Sequence, residues 1–223
     1  MTILHRALAA GAFACAALAP VAARADVLSD NVGAIQLSTL GYGVSIGHTI
    51  APHVDLRLAS GTLSYGHNVT SDGITYNGTL QLHNVSALVD VHPLNGPFRI
   101  TGGFVFGNDH IDVVANAQNG TYTINGTPYS AAQAGAIYGT AKLSSGAPYI
   151  GIGMGAPHRL GIYVTADAGV VFRTVNTSLY ATGPAAATPQ LQSDLAAARN
   201  TFANDLGWLK TYPVVSVGLA TRF

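Results

Sequence analysis

Tyr212-Pro213-Val214-Val215-Ser216-Val217-Gly218-Leu219-Ala220-Thr221-Arg222-Phe223 alternates apolar with small or polar positions up to a terminal aromatic. Counted by twos, Val215, Val217, Leu219 and Thr221 share one face, and Val214, Ser216, Gly218, Ala220 and Arg222 share the other. A period of two belongs to a strand with unlike faces. One face suits hydrocarbon, and the other suits the interior of a barrel. A soluble β-sandwich could also finish on an amphipathic strand, so the rest of the chain must decide.

The same pattern recurs upstream. Ile162, Val164, Ala166, Ala168, Val170 and Phe172 oppose Tyr163, Thr165, Asp167, Gly169, Val171 and Arg173. Phe98, Ile100, Phe104 and Phe106 oppose Arg99, Thr101, Gly103 and Gly107, and Ile150, Ile152 and Met154 oppose Tyr149, Gly151, Gly153 and Gly155. Val85, Ala87, Val89 and Val91 oppose Ser86, Leu88, Asp90 and His92; Val54, Leu56 and Leu58 oppose Asp55, Arg57 and Ala59. Leu40, Tyr42, Val44 and Ile46 oppose Gly41, Gly43, Ser45 and Gly47. Together with the terminal run these are seven strands, and antiparallel closure with both ends on one side needs an even number. The missing strand is expected within 26–40, with a turn or bulge at the glycines after Leu40, or alternatively within 114–146. The fold class expected is all-β: a transmembrane antiparallel up-and-down barrel of eight strands.

Composition agrees with this reading. Only 9% of the 223 residues are charged and 48% are hydrophobic, against about 25% charged in an average globular chain. All ten acidic residues are Asp, and the formal net charge is zero, which leaves no electrostatic case for nucleic acid. Beyond the N-terminus no run approaches the roughly 20 apolar residues of a spanning helix. At the N-terminus, His5 and Arg6, the apolar stretch Ala7 to Ala22 and Ala23-Arg24-Ala25 read as a secretory signal peptide over 1–25, with a barrel domain over 26–223. A lipoprotein cleavage before Cys15 would place Phe13 where a small residue is usual. Cleavage after Ala25 removes the only cysteine, and with it disulfides and thiol chemistry.

Connections alternate in length. Ala51-Pro52-His53, Pro93 to Pro97 and Ala156 to Gly161 are short; those near Ser71-Asp72-Gly73, 114–146 and 183–207 are long. Short turns belong on the periplasmic side of a barrel and long loops outside. Thr121 to Ser130 reads as a small hairpin about Asn125-Gly126, above the membrane. Thr188 as N-cap and Pro189 open an amphipathic helix over 189–206, in which Leu191, Leu195, Ala198, Phe202, Leu206 and Leu209 form one stripe. It should lie over the barrel mouth or in the headgroup zone. Trp208, Tyr212, Tyr180, Phe172 and Phe106 are expected as an outer aromatic girdle, with Phe98 and Phe223 at the inner interface.

Candidate chemistry is sparse. Asp55, Arg57, Asp90, Arg99, Asp167, Arg173 and Arg222 all point inward by parity, as a polar network in a lumen narrow enough for side chains to fill. The network could be a plug or a gated polar path, and the many inward glycines leave room for the second. Asn108-Asp109-His110-Ile111-Asp112 reads as a solvated strand end, because neighbours on a strand face opposite ways. The eight histidines show no metal spacing, and no His-x-Ser of a lipid A deacylase occurs. No catalytic, metal-binding or cofactor-binding residue is assigned.

The terminal strand with its final Phe, the signal peptide and the loop asymmetry resemble the small outer-membrane β-barrel proteins of Gram-negative bacteria. More narrowly the chain resembles a poorly characterised proteobacterial family among them. The resemblance rests on Ser38-Thr39-Leu40-Gly41-Tyr42-Gly43, the His92-Pro93 turn, Thr123 to Gly135, Ala147 to Gly155 and the last helix running into the final strand. It implies export to the outer membrane. It also implies recognition by the barrel-assembly machinery through Tyr212, Val215, Val217, Leu219, Thr221 and Phe223, and contact with lipid and lipopolysaccharide. Three functions follow as expectations: a non-enzymatic envelope or surface-interaction role, a narrow porin-like channel, or a lipid A-modifying enzyme.

Overall fold

The computed structural model describes residues 31–71, 74–94, 96–117, 120–155 and 161–223. The signal peptide expected over 1–25 lies outside them. Thirteen strands are present among the described residues: β1 (Asn31–Ser38), β2 (Gly41–Ala51), β3 (Val54–Ser71), β4 (Ile74–Val91), β5 (Phe98–Gly107), β6 (His110–Ala117), β7 (Thr121–Ile124), β8 (Thr127–Ser130), β9 (Ile137–Leu143), β10 (Gly146–Met154), β11 (Gly161–Phe172), β12 (Val175–Ala181) and β13 (Thr211–Arg222). Two α-helices accompany them, α1 (Ala131–Ala134) and α2 (Pro189–Asp205).

The ladders form a closed circuit. From β1 it runs through β2, β3, β4, β5, β10, β11 and β13 and back to β1, every pairing antiparallel. The N-terminal stretch supplies a strand, β1, which pairs with β13 so that Val32 faces Arg222 and Ser38 faces Ser216. Phe223 N–H then donates to Asn31 carbonyl at 3.0 Å, so both described ends of the chain meet at the end of the barrel that carries the short turns. A closed ladder leaves no unpaired edge within the ring.

Around this circuit the alternation is that of the sequence. Val44, Ile46, Leu58, Val85, Phe104, Ile150, Ile152, Val164, Val215 and Val217 are exposed on the outside, an apolar belt that water would not favour. Leu40 departs from the pattern. It sits in the turn before β2 rather than on the strand, and is buried inside the barrel with Leu88, Val105, Tyr149, Val171 and Val214.

At the opposite end the sheet continues beyond the ring. The first half of β4 pairs with β6, β6 with β9, and β9 with β12. These strands prolong β5, β10 and β11 after breaks at 108–109, 144–145 and 173–174, and such interruptions bend a sheet. The outward face of this extension is largely polar, with Asp112 and Asn116 on β6, Thr140 and Lys142 on β9, and Asn176 and Ser178 on β12, around one row of Val114 and the stacked Tyr138 and Tyr180. Its short, reversed alternation hides it in the sequence.

The expected hairpin forms as a separate two-stranded sheet of β7 and β8. Asn125 and Gly126 take φ values of 50° and 82°, the left-handed pair a two-residue turn requires. Helix α2 begins at Pro189 and is followed by a 3-10 turn over Gly207–Lys210. Thr188 has the extended N-cap backbone, but its hydroxyl donates to Ala185 carbonyl at 2.7 Å instead of capping the helix. Leu191 and Leu195 pack with Tyr122, Ile124, Tyr129 and Ile137, while Leu206 and Leu209 pack with Ala141 and Leu143. The helix therefore covers the inner face of the extension. Helix α1, capped by Ser130 and Gln133, is a single turn and too short to show a helical period within the long loop.

Candidate functional site: the barrel interior

Four of the seven expected inward charges meet in one cluster. The Arg57 guanidinium binds Asp90 through two hydrogen bonds of 2.7 and 3.0 Å and reaches Asp167 at 3.5 Å. Arg99 binds Asp167 at 2.7 and 3.2 Å and approaches Asp90 at 3.8 Å. Thr101 and Ser216 hydroxyls complete the carboxylates, donating to Asp90 and to Asp167. Two cations and two anions cancel, and Asp90, Arg99 and Asp167 are 4%, 7% and 7% exposed. Buried charges persist only when paired and hydrogen-bonded in this way.

Strand register explains how they meet. Arg99, Gly153 and Asp167 lie in one row across β5, β10 and β11, and Asp167 faces Ser216 on β13. Arg99 must cross β10 to reach Asp167. A Cβ on Gly153 would lie 2.3 Å from an Asp167 oxygen and 2.7 Å from Arg99 Nε, so the glycine makes the bridge possible. Gly151 and Gly169 likewise accommodate the Tyr149 hydroxyl, which would lie 2.3 and 2.5 Å from their Cβ positions. Arg99 and Tyr149 thus occupy the room at these inward glycines.

The other expected residues lie apart. Asp55 faces Asp90 directly across β3 and β4, where like charges repel. Asp90 turns to the arginines and Asp55 accepts from buried His92 Nε2 at 3.0 Å, towards the short-turn end. Arg173 lies at the level of the strand breaks and pairs with Asp109. Asp109 is not a solvated strand end: it is buried, and its second oxygen accepts from His83 N–H at 2.8 Å. Asp109 shares the odd, inward parity of Arg99, Thr101 and Val105 and keeps it through the break at 108–109. Arg222 ends β13, half-buried, beside the β1 and β11 termini.

Tyr212 also departs from expectation. It shares the even, inward parity of Val214, so it leaves the outer girdle and the outward face of Val215, Val217, Leu219 and Thr221. Its hydroxyl donates to Thr39 carbonyl at 2.8 Å, its ring stacks on Trp208, and Arg173 lies 5.7 Å from the ring centre. Trp208, Tyr180, Phe172, Phe106 and Phe223 are exposed.

The interior is therefore layered. From the short-turn end come Asp55 with His92, the four-residue ionic cluster, the apolar layer of Leu40, Leu88, Val105, Tyr149, Val171 and Val214, Arg173 with Asp109, and the lid of Leu206 and Leu209. Cavities of about 50 and 40 Å³ flank the ionic cluster, room for a few waters. Among the described residues no group of three metal-ligating side chains occurs.

In the outer extension, Asp194 of α2 is buried and accepts from Tyr129 hydroxyl at 2.7 Å, Asn125 amide at 3.1 Å and Gln190 amide at 3.2 Å. The Tyr129 and Asn125 donors hold its carboxyl down at about 2. Burial, and then the bond to Asp194, push the Tyr129 phenol up to about 12. The carboxylate thus ties the β7–β8 hairpin to the helix. No sequence signal links Asp194 to Tyr129, since they stand 65 residues apart.

No family model matches the chain, and no curated protein does. Among solved structures it is similar to CarO of Acinetobacter baumannii, with a TM-score of 0.53 at 19% identity over 88% of this chain and 98% of that one. CarO2 of the same organism aligns with a TM-score of 0.56 at 20% identity, over 89% and 100%. A major outer membrane protein from Thermus thermophilus aligns at 0.41 and 14% identity, over 86% and 99%. Taken with the apolar belt and the closed ladder, the likeness to the two CarO structures shows that the chain has the fold of an outer-membrane β-barrel protein.

Proposed function

We propose that the chain is a non-enzymatic barrel of the bacterial outer membrane, sealed through its lumen, which contributes to the envelope and presents its outer extension to the surroundings. The membrane unit in this reading is the eight-membered strand circuit. Its apolar outer face, and the change to Asp112, Asn116, Lys142 and Asn176 beyond the strand breaks, support a boundary between hydrocarbon and water at that level. Export would use residues 1–25, and the barrel-assembly machinery would read Val215, Val217, Leu219, Thr221 and Phe223. The short-turn end would face the periplasm.

The observation that carries the sealed reading is the ionic cluster of Arg57, Asp90, Arg99 and Asp167, backed by the apolar layer above it. Proteoliposomes test it. Vesicles containing the protein should not swell in isosmotic glycine or arabinose, and swelling at porin rates would overturn the reading. Unchanged lipid A masses on overexpression are expected of a non-enzymatic role, and a new lipid A mass would refute it. One observation favours a gated narrow channel as the second reading: both small cavities are lined by Arg57 and Gln36, so movement of one guanidinium would join them.

A further inference from the structure

A third cavity, wider than the two in the lumen, lies outside it. About 250 Å³ opens between the inner face of the extension, the β7–β8 hairpin and α2. Ala115, Ile137 and Gly139 form its floor, and Ile124, Leu179 and Phe202 stand around it. Tyr122 also borders it, but its hydroxyl is committed to Ala115 carbonyl at 3.1 Å. The contrast with the lumen is one of chemistry as well as size. The lumen cavities are small and bordered by Arg57 and hydrogen-bonding side chains, which suits water, whereas this cavity is lined mainly by apolar groups, with Thr123 and the phenols of Tyr76 and Tyr122 as its polar members.

A cavity lined by aliphatic and aromatic groups stays dry, and one of about 150 Å³ already accepts benzene. This one is larger and open on one side. Open to water, its apolar lining stays hydrated, and a bound apolar molecule would remove that surface from water. Gly139 adds a second feature: a Cβ there would meet only the ends of Leu179 and Phe202, at 3.3 and 3.8 Å, and Val113 carbonyl at 3.8 Å. A larger side chain at this position would press on Leu179 and Phe202 and narrow the cavity.

We infer that this cavity binds a small apolar molecule, one aromatic ring or an acyl chain of a few carbons, taken from outside the cell. The largely polar outward face of β6, β9 and β12 sets the cavity beyond the hydrocarbon, which favours a free molecule over a membrane lipid tail. The inference rests on that outer placement and is independent of whether the lumen conducts.

Toluene is the probe, followed by saturation-transfer NMR on the full protein in lipid nanodiscs, with empty discs as the blank. The expected result is saturable binding that Gly139→Val weakens at least tenfold, while heat-modifiable gel mobility and amide protection of α2 are kept. Phe202→Ala, which widens one wall, should raise affinity for naphthalene relative to toluene several-fold. Transfer no greater than from empty discs, binding undiminished in Gly139→Val, or an unchanged naphthalene-to-toluene ratio in Phe202→Ala would each overturn the site. Mass spectrometry of extracts from the purified protein separates the two sources. A lipid retained by wild type and absent from Gly139→Val would show a membrane tail there and defeat the free-molecule reading.

Discussion

The inward face of one continuous sheet carries two chemistries. Below the strand breaks, β5, β10 and β11 turn Arg99, Thr101, Tyr149 and Asp167 into the barrel; above them the prolonging strands β6, β9 and β12 turn in Ala115, Ile137, Ala141 and Leu179. The difference follows from what covers each part. A closed ring faces itself, so charges from opposite walls reach one another and cancel. The extension is open and faces α2, and only apolar surface is stabilised by a helix stripe. The lumen is held by electrostatic pairing over short distances beside one apolar layer, and the extension chiefly by burial of Leu191, Leu195, Tyr122 and Ile137.

If this contrast holds, the largest single effect lies in the ionic cluster. Asp167→Ala removes the partner of Arg99 and Ser216 and leaves a guanidinium buried without its anion, a loss of about 3–5 kcal/mol. Urea unfolding followed by gel mobility should show it; a loss below about 1 kcal/mol would mean that water already compensates those charges. In the extension, Leu191→Ala leaves a cavity beneath α2 at a cost of about 2–5 kcal/mol. Proteolysis and hydrogen exchange should then report a loosened helix while the barrel keeps its mobility. Loss of both together would show that the two regions unfold as one.

Glycines sharpen the comparison at a finer scale. Gly153→Ala forces Arg99 and Asp167 apart and should cost about 1–3 kcal/mol, whereas Gly102→Ala, with nothing within 4 Å of its Cβ position, should be close to neutral. Equal costs would refute the bridge across β10. The smallest effect concerns pH. Asp194 is depressed to about 2, so its contribution is present above the ordinary Asp range and is lost as pH falls through roughly 4 to 2. Protection of the β7–β8 amides should weaken only in that window, and Asp194→Asn should abolish the dependence.

Period-two parity makes most of the barrel legible in the amino-acid sequence, because it fixes which side chains point inward wherever a strand is regular. It places Arg57, Asp90, Arg99 and Asp167 inside without saying which of them touch, since contact depends on register between strands far apart in the chain. Parity misleads where regularity stops. Leu40 is in a turn; Asp109 keeps the odd, inward parity of Arg99, Thr101 and Val105, and only its partner Arg173, 64 residues away, is hidden from the sequence. Tyr212 is legible by the same rule, since its even number sets it with Val214 inside. The extension is hidden for another reason: β6, β9 and β12 turn apolar residues in and largely polar ones out over only seven or eight residues each, the reverse of a strand in lipid.

The sealed lumen is tested most directly by current through single molecules in planar bilayers, comparing wild type with Arg57→Ala. The account predicts no openings for wild type over a wide voltage range, and none for Arg57→Ala, in which the cavities beside the cluster are joined but the apolar layer of Leu40, Leu88, Val105, Tyr149, Val171 and Val214 still closes the lumen. Steady openings in either would contradict it.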